Sequence, residues 1–180
     1  LPRKFKVGVT VPGDNSIDLL TQDIGLVVFT HPSGELKGCN VYVGGGMGRT
    51  HNKEETFARI ADPLGYVAAE HVLDVVQSIL ALQRDHGDRV IRPHARMKYL
   101  LHDKGINWFR QTLKQDYFKA DLTGLRNEPK PKLLDYLGWH RQRAGLWFVG
   151  LPLLCGRLEG PFKQGLRQIV ETYQLEIRLT

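Results

Sequence analysis

The sequence predicts an α+β fold, in which a mixed β-sheet is covered by helices and is followed by part of a second α/β unit. Three runs rich in β-branched residues, separated by short turns, occupy the first 43 residues. The longest stretch with apolar residues at helical spacing follows at 67–82. After a polar segment, the end of the chain adds one strand, helix and strand pattern, so we expect a second unit there.

Three strands are predicted at 5–11, 24–30 and 38–43. The first alternates along its length and ends at the turn cluster 12–15. The other two are apolar and are joined by the turn at 31–34. Because the connections between these runs are short, we expect the strands to form one small sheet.

Four helices are predicted in the middle of the chain, at 52–62, 67–82, 93–103 and 107–115. The first begins at Asn52, a residue suited to the N-cap, with Glu55 three positions later as in a capping box. The second is the longest and carries a wide apolar face, so it is a core element. Gly105 is expected to end the third helix at the C′ position.

A polar, proline-containing segment at 127–132 is expected to link two parts of the chain. Beyond it, the pattern predicts a strand at 146–154, a helix at 161–173 and a strand at 176–179. The predicted domains are therefore 1–126 and 133–180.

The composition is that of a globular protein with a core, because 42% of the 180 residues are hydrophobic and 24% are charged. A net charge of +6 indicates anionic ligands or nucleic acid as partners. No apolar run approaches the roughly 20 residues of a membrane span. Cys39 and Cys155 form no closely spaced pair, which predicts free thiols in a reduced compartment. With no signal peptide predicted, we expect a cytoplasmic protein.

Lys4 and Lys6 form the first candidate site. Residues i and i+2 of a strand share a face, so both lysines are expected on one side and Phe5 on the other. Two adjacent ammonium groups repel each other unless an anion lies between them. The strand therefore predicts an anion site, although a solvated basic strand end is the alternative interpretation.

The glycine run Gly44-Gly45-Gly46-Met47-Gly48 is the second candidate site. Consecutive glycines after a strand let a ligand approach the backbone closely and can present several N–H donors. The run lacks the GK[ST] of a Walker A loop and does not open a helix as a Rossmann glycine motif does. A tight structural turn remains the alternative.

Arg92 and Arg96 are the third candidate site. At spacing i, i+4 on the predicted helix they would be neighbours, which destabilises an isolated helix by roughly 0.2–0.5 kcal/mol. The helix dipole also disfavours cations in the first turns, so an anion bound there would explain the two arginines. A solvated basic face is the alternative. The seven histidines have no metal-ligand spacing, so no metal ligand is predicted.

Four motifs, which include these candidate sites, carry a resemblance to a known family. They occur in this order: LPRKFK at 1–6, VGGGMGRTH at 43–51, QRDHGDR at 83–89 and HARMKYL at 94–100. With these motifs the chain resembles the sirohaem-containing sulfite and nitrite reductases over nearly its whole length. The segments DYLGWH at 135–140 and YQLEIRLT at 173–180 resemble the start and end of that family's second ferredoxin-like half-domain.

The resemblance implies a reduction of sulfite to sulfide, or of nitrite to ammonia, by six electrons. A sirohaem binds the substrate, and a [4Fe-4S] cluster supplies the electrons that ferredoxin or a flavoprotein donates. Lys4 and Lys6 match lysines that face the bound oxyanion and would be catalytic. Sirohaem carries eight carboxylates, and the residues matched to its binding are Arg3, Gly44, Gly45, Gly46, Arg49, Arg96 and Lys98.

The resemblance also has implications for the substrate and for whether this chain contains the whole catalytic centre. Lys6 favours sulfite, because nitrite-type members resemble Pro-Arg-Lys-Phe-Asn at this point. The family's cluster needs four cysteines in two close pairs, which are expected outside this chain. We therefore expect an internal fragment that is inactive alone, from a sulfite reductase or, alternatively, a nitrite reductase. A non-catalytic basic module that binds nucleic acid or another polyanion is the alternative from a different class.

Overall fold

The computed structural model describes residues 4–142 and 145–178. The chain divides into two units, Leu1–Leu134 and Asp135–Thr180. The first unit contains a four-stranded sheet with the order β1-β2-β3-β4. Its strands are β1 at Val7–Thr10, β2 at Ile24–Thr30, β3 at Leu36–Val43 and β4 at Asp62–Ala68.

The sheet is mixed, as predicted. β1 pairs in parallel with β2, and the other neighbouring strands are antiparallel. In the register, Val7 lies beside Ile24, and Ile24 lies beside Val43. The last residues of β3 therefore lie beside the first residues of β2. This brings the start of the glycine run next to the segment that precedes β2.

The helix predicted at 52–62 was wrong, because those residues form turns and extended backbone. Strand β4 was not predicted, and it lies at the junction of that segment and the helix predicted at 67–82, which begins only at Val72. Asn52 has a φ of 57°, in the left-handed region, and does not act as an N-cap. The side chain of Thr56 closes the turn instead, because its Oγ1 accepts the N–H of Thr50 at 2.8 Å and donates to the carbonyl of Lys53 at 2.8 Å. Tyr66 and Val67 pair with β3 and are buried, so their apolar character serves a strand.

Two helices cover the sheet of the first unit: α1 at Val72–His86 and α2 at Met97–Thr112. Gly105 has non-helical angles (φ 78°, ψ 161°) and interrupts α2 where the sequence predicted a stop. A π-helical turn at Leu113–Tyr117 follows α2, and short 3-10 turns occupy Leu19–Thr21, Ala69–His71 and Arg92–His94. In the described residues, no helix combines the length and apolarity that crossing a bilayer requires.

The core of the first unit lies between the sheet and these helices. Val75, Ile79 and Leu82 recur at helical spacing on α1 and are fully buried. They pack with side chains from the strands and from α2, which are Ile24, Leu26, Val41, Val43, Leu64, Val67, Met97, Leu101 and Phe109.

The predicted linker at 127–132 belongs to the first unit. Asn40 accepts the N–H of Arg126 and donates to its carbonyl, both at 2.8 Å. The hydroxyl of Tyr42 donates a hydrogen bond to Glu128. Lys132 donates its N–H to Gly13 at 2.9 Å, so the segment is held along its length.

The second unit contains an antiparallel strand pair and one helix. Its elements are β5 at Gly138–Arg141, β6 at Trp147–Gly150, a 3-10 turn at Leu154–Gly156 and α3 at Gly160–Tyr173. The predicted helix is confirmed, and the predicted strand at 146–154 is shorter. Residues 175–178 are not in a strand, contrary to the prediction, and Leu179 lies outside the described residues.

Candidate functional site

Lys4 and Lys6 lie immediately before β1, which begins two residues later than predicted. Both side chains are exposed, whereas Phe5 between them is half-buried and packs against the core. Their ammonium groups make no hydrogen bond or ion pair with any residue that the structure describes. The backbone of Lys6 is fixed, because its carbonyl accepts the N–H of Ile24 at 3.0 Å. Arg3, which was predicted to bind the cofactor, lies outside the described residues.

Asp23 is the residue that connects Lys6 to the rest of the site. Its side chain is fully buried just before β2. Carboxylate oxygen Oδ2 accepts the N–H of Lys6 at 2.9 Å and Nη2 of Arg96 at 2.7 Å, and Oδ1 accepts Nε of Arg96 at 3.2 Å. Sequence reasoning missed Asp23, although an acidic residue directly before a buried strand is an available signal.

Arg96 is held between Asp23 and the glycine run. Besides its ion pair, Nη2 lies 3.3 Å from the carbonyl of Gly45. Its Nη1 has no hydrogen-bond acceptor in the described part of the chain. The predicted helical pair with Arg92 was wrong, because Arg92 lies in a 3-10 turn and Arg96 is an extended residue that precedes α2. The two guanidinium groups therefore do not share one helical face.

Lys98 lies within the fold, with only 1% of its surface exposed. Its Nζ donates to the carbonyls of Gly48 at 2.7 Å and Gly46 at 3.3 Å, and also to the carbonyl of Phe57. An ammonium has three protons, so all of its donors are directed to the main chain. Burial, together with the nearby charge of Arg96, lowers the pKa of Lys98 below its usual value.

The N–H groups of the glycine run point inward. Those of Gly44, Gly45 and Gly46 donate to the main-chain carbonyls of Asp23, Gln22 and Arg59, at 2.9, 3.0 and 2.8 Å. A Cβ at Gly45 would lie 2.2 Å from the carbonyl oxygen of Leu20, so no larger residue fits there. Residues 44–46 therefore form a tight structural turn with their N–H donors satisfied internally, which agrees with the alternative interpretation of this motif.

Arg59 holds the start of the same run and was not identified from the sequence. Its Nη1 donates to the carbonyl of Gly44 at 3.0 Å, and its Nη2 pairs with Asp62 at 2.6 Å. Beyond the run, Arg49 is exposed and makes no ion pair with a described residue. Neither cavity described in the first unit, one beside β4 and one beside α1, includes a residue of this site.

The cations of this region therefore form two sets. Three of them, Arg59, Arg96 and Lys98, bind main-chain carbonyls or carboxylates and shape the glycine run. The other three, Lys4, Lys6 and Arg49, are exposed without partners in the described ranges. Exposed cations without described partners suit a ligand with several carboxylates, so the residues present fit a sirohaem.

The thiols do not fit an iron–sulfur cluster. Cys39 is buried in the core, and burial raises its pKa to about 11. Cys155 is exposed. No group of three or more His, Cys, Asp or Glu side chains that could hold a metal occurs within residues 4–142 and 145–178. With two cysteines in the sequence, this chain does not supply the four thiolates of such a cluster.

Comparison with known proteins agrees with this arrangement. Residues 1–122 match the family described as the nitrite and sulphite reductase 4Fe-4S domain. Residues 140–180 match the nitrite/sulfite reductase ferredoxin-like half domain. The predicted fold class is thus confirmed: a mixed sheet with helices, followed by a ferredoxin-like half-domain region.

Individual relatives cover all or nearly all of the chain. It is 58% identical over 184 aligned residues to the sulfite reductase (ferredoxin) of Synechococcus elongatus, covering 100% of this chain and 29% of that protein. It is 39% identical to the sulfite reductase (NADPH) subunit beta of Saccharomyces cerevisiae, covering 95% of this chain and 12% of that protein.

A solved structure has the same fold. The structure of the Mycobacterium tuberculosis NirA protein matches with a TM-score of 0.77 at 28% identity, covering 96% of this chain and 30% of that one. The chain spans less than a third of the length of each of these three proteins.

Proposed function

Because the chain belongs to the nitrite and sulphite reductase family, we propose that it is part of an enzyme that reduces sulfite to sulfide with electrons from ferredoxin. The 58% identity to a sulfite reductase named for ferredoxin supports both the substrate and the donor. Since the chain spans 29% of that relative, the proposal concerns the activity of a longer polypeptide.

The exposed lysine pair is the observation that carries this proposal. Lys4 and Lys6 offer two ammonium groups without partners among residues 4–142 and 145–178, and Asp23 and Ile24 hold the backbone of Lys6 in place. Two neighbouring cations favour a doubly charged oxyanion over a singly charged one, and sulfite is the more highly charged of the family's two substrates. We therefore assign Lys4 and Lys6 to sulfite.

The same lysines can serve the chemistry as well as the binding. Each oxygen that leaves sulfite as water must take up protons, and an ammonium within hydrogen-bond reach can donate them. As negative charge accumulates on a departing oxygen, the two cations also stabilise it. Both roles depend on where Nζ of each lysine lies, and neither requires the lysines to change their backbone position.

Sirohaem would supply the iron that binds sulfite and would pass electrons to it. Arg49 and the free Nη1 of Arg96 are the described groups that we propose for its carboxylates, together with Arg3. Gly44, Gly45 and Gly46 are proposed as the backbone that the macrocycle approaches. Lys98 contributes by holding the carbonyls of Gly46 and Gly48. The [4Fe-4S] cluster requires cysteines from outside this chain.

The proposal is tested on the full-length enzyme. We expect the purified protein to contain sirohaem, identified by its absorbance and by extraction, and to oxidise reduced ferredoxin when sulfite is added. Sulfide should accumulate at one molecule for each six electrons consumed. A full-length protein that lacks both sirohaem and sulfite-dependent oxidation would contradict the proposal.

Nitrite reduction is the second candidate, because the matched family includes both activities. The two are separated by measuring kcat/KM for sulfite and for nitrite with the same electron donor. We expect a preference for sulfite, and a strong preference for nitrite would overturn the assignment based on Lys6.

A further inference from the structure

We propose that Asp23 is a positioning residue for the oxyanion site. Its carboxylate binds both the backbone of Lys6 and the side chain of Arg96 and so holds them in position relative to each other. This inference rests on the proposed function and adds a residue that acts through its neighbours. It follows from one buried carboxylate that binds groups from two separate parts of the fold.

Three donors converge on the two oxygens of this carboxylate. Nε and Nη2 of Arg96 form a two-point contact at 3.2 and 2.7 Å, and the N–H of Lys6 shares Oδ2 at 2.9 Å. The main-chain carbonyl of Asp23 accepts the N–H of Gly44 at 2.9 Å. One residue therefore connects the lysine segment, the residue before α2 and the glycine run.

The position of Lys6 depends on this contact because β1 is at the edge of the sheet. In the ladder, Lys6 contributes only its carbonyl, which accepts the N–H of Ile24. Its own N–H binds the Asp23 side chain, so removing the carboxylate would take away one of the two backbone hydrogen bonds that hold Lys6 while leaving the β1 and β2 pairing intact. A displacement of about 1 Å at a substrate-binding group can cost roughly 100-fold in rate.

The ion pair also preserves the charge that the lysines present. A buried carboxylate alone would attract the ammonium groups and repel an incoming anion. Arg96 neutralises it through the two-point contact, and only 15% of its side-chain surface is exposed. The carboxylate can therefore act as a hydrogen-bond acceptor for Lys6 without reducing the positive field in front of Lys4 and Lys6.

Asp23→Asn in the full-length enzyme tests this role. The neutral amide has one acceptor oxygen in place of two, so when that oxygen takes the place of Oδ2 the NH₂ faces Nε of Arg96. The loss of the negative charge also weakens the acceptor that Lys6 and Arg96 share. We expect the amide of Lys6 to exchange with deuterium about tenfold faster in the sirohaem-free protein. In the sirohaem-loaded protein we expect a KM for sulfite about tenfold higher, with sirohaem content unchanged.

Asp62→Asn is the matched control for the exchange measurement. Asp62 also pairs with an arginine that binds the glycine run, Arg59, but makes no contact with Lys6. Its amide variant should leave the exchange of Lys6 unchanged. If Asp23→Asn does not fold, Asp23→Glu keeps the charge and displaces the carboxylate by one methylene, and the same two measurements apply.

The outcomes separate the two proposals. Normal exchange of Lys6 and a normal KM for sulfite in a folded Asp23 variant would overturn the positioning role and leave the proposed function standing. A second contrary outcome is a variant with lower thermal stability and less sirohaem, whose sirohaem-loaded fraction has an unchanged KM for sulfite. Asp23 would then have only a structural role, and the positioning role would be overturned. A wild-type enzyme without sirohaem would refute the proposed function, while the exchange measurement would still decide the contact.

Discussion

The ammonium of Lys98 donates a hydrogen bond to the main-chain carbonyl of Gly48 at 2.7 Å, across 50 residues of sequence. The same group donates to the carbonyls of Gly46 and Phe57. A buried cation thus gathers three carbonyl groups from two segments of the loop that follows β3. The shape of this loop depends on a residue of α2.

Replacing Lys98 should therefore destabilise the first unit. Lys98→Met fills a similar volume but leaves the carbonyls of Gly48 and Phe57 without their donor, whereas the carbonyl of Gly46 keeps the N–H of Arg59 at 2.9 Å. Each unpaired buried polar group costs about 1–3 kcal/mol. Because the variant also removes a buried charge, we expect a net loss of about 3 kcal/mol in the free energy of unfolding, measured with urea. Lys53→Met, at an exposed position in the same loop, should change it by less than about 0.5 kcal/mol.

Two glycines of one run should respond differently to alanine. A Cβ at Gly45 would lie 2.2 Å from the carbonyl of Leu20, whereas nothing lies within 4 Å of a Cβ at Gly48. We expect Gly45→Ala to lower the free energy of unfolding by about 3 kcal/mol, since the backbone must move. Gly48→Ala should be neutral or slightly stabilising. Equal effects in urea unfolding would show that the run is not packed as described.

The lysine pair should control activity with sulfite. In the full-length enzyme, Lys4→Ala or Lys6→Ala removes a cation from the developing charge, and we expect kcat/KM for sulfite to fall about 100-fold. Lys37→Ala, an exposed lysine at the start of β3, is the control and should change it less than twofold. Because Lys6→Asn leaves a single ammonium, it should raise the ratio of nitrite to sulfite turnover. If kcat/KM for sulfite is unchanged in both alanine variants, the assignment of the lysines to the sulfite site is contradicted.

Cys39 should make stability fall in mildly alkaline solution. Burial raises its pKa from 9.0 to about 11, so the native state keeps the thiol proton longer than the unfolded chain does. The contribution of the buried Cys39 thiol to the free energy of unfolding is fully present below pH 9 and is lost as the pH rises from 9 towards 11. Between pH values of about 8 and 10.5, the wild type should lose about 2 kcal/mol more than Cys39→Ala. Identical pH dependence of the two proteins in urea unfolding would contradict this burial effect.

Much of the fold follows from local patterns in the sequence. The first three strands were predicted because β-branched runs lie between short turns, and Gly105 was predicted to break a helix because it can adopt a positive φ. Strand β4 was missed because Leu64, Tyr66 and Val67 are all buried in a near-continuous apolar run. Such a run resembles a buried helix unless the pairing strand is known.

The candidate site was predicted only where its residues form motifs in the sequence. Lys4, Lys6 and the glycine run have motifs that can be read along the chain. Asp23 and Arg59 have none, because their roles arise from contacts that the fold creates, such as the Asp23 and Arg96 pair across 73 residues. The paired states of Arg96 and Lys98 depend on those contacts as well, so they were not evident from residue type.

The hydrogen bonds that hold residues 126–132 also affect how the chain folds. Asn40 binds Arg126 across 86 residues, and Lys132 exchanges backbone hydrogen bonds with Gly13 and Asn15. Contacts this distant in sequence are slow to form, because a long loop must close before they contribute. During synthesis, the first unit therefore cannot complete its structure until Lys132 has left the ribosomal exit tunnel. Up to that point the side chains of Asn40 and Tyr42 on β3 lack the segment that binds them and are accessible to a chaperone.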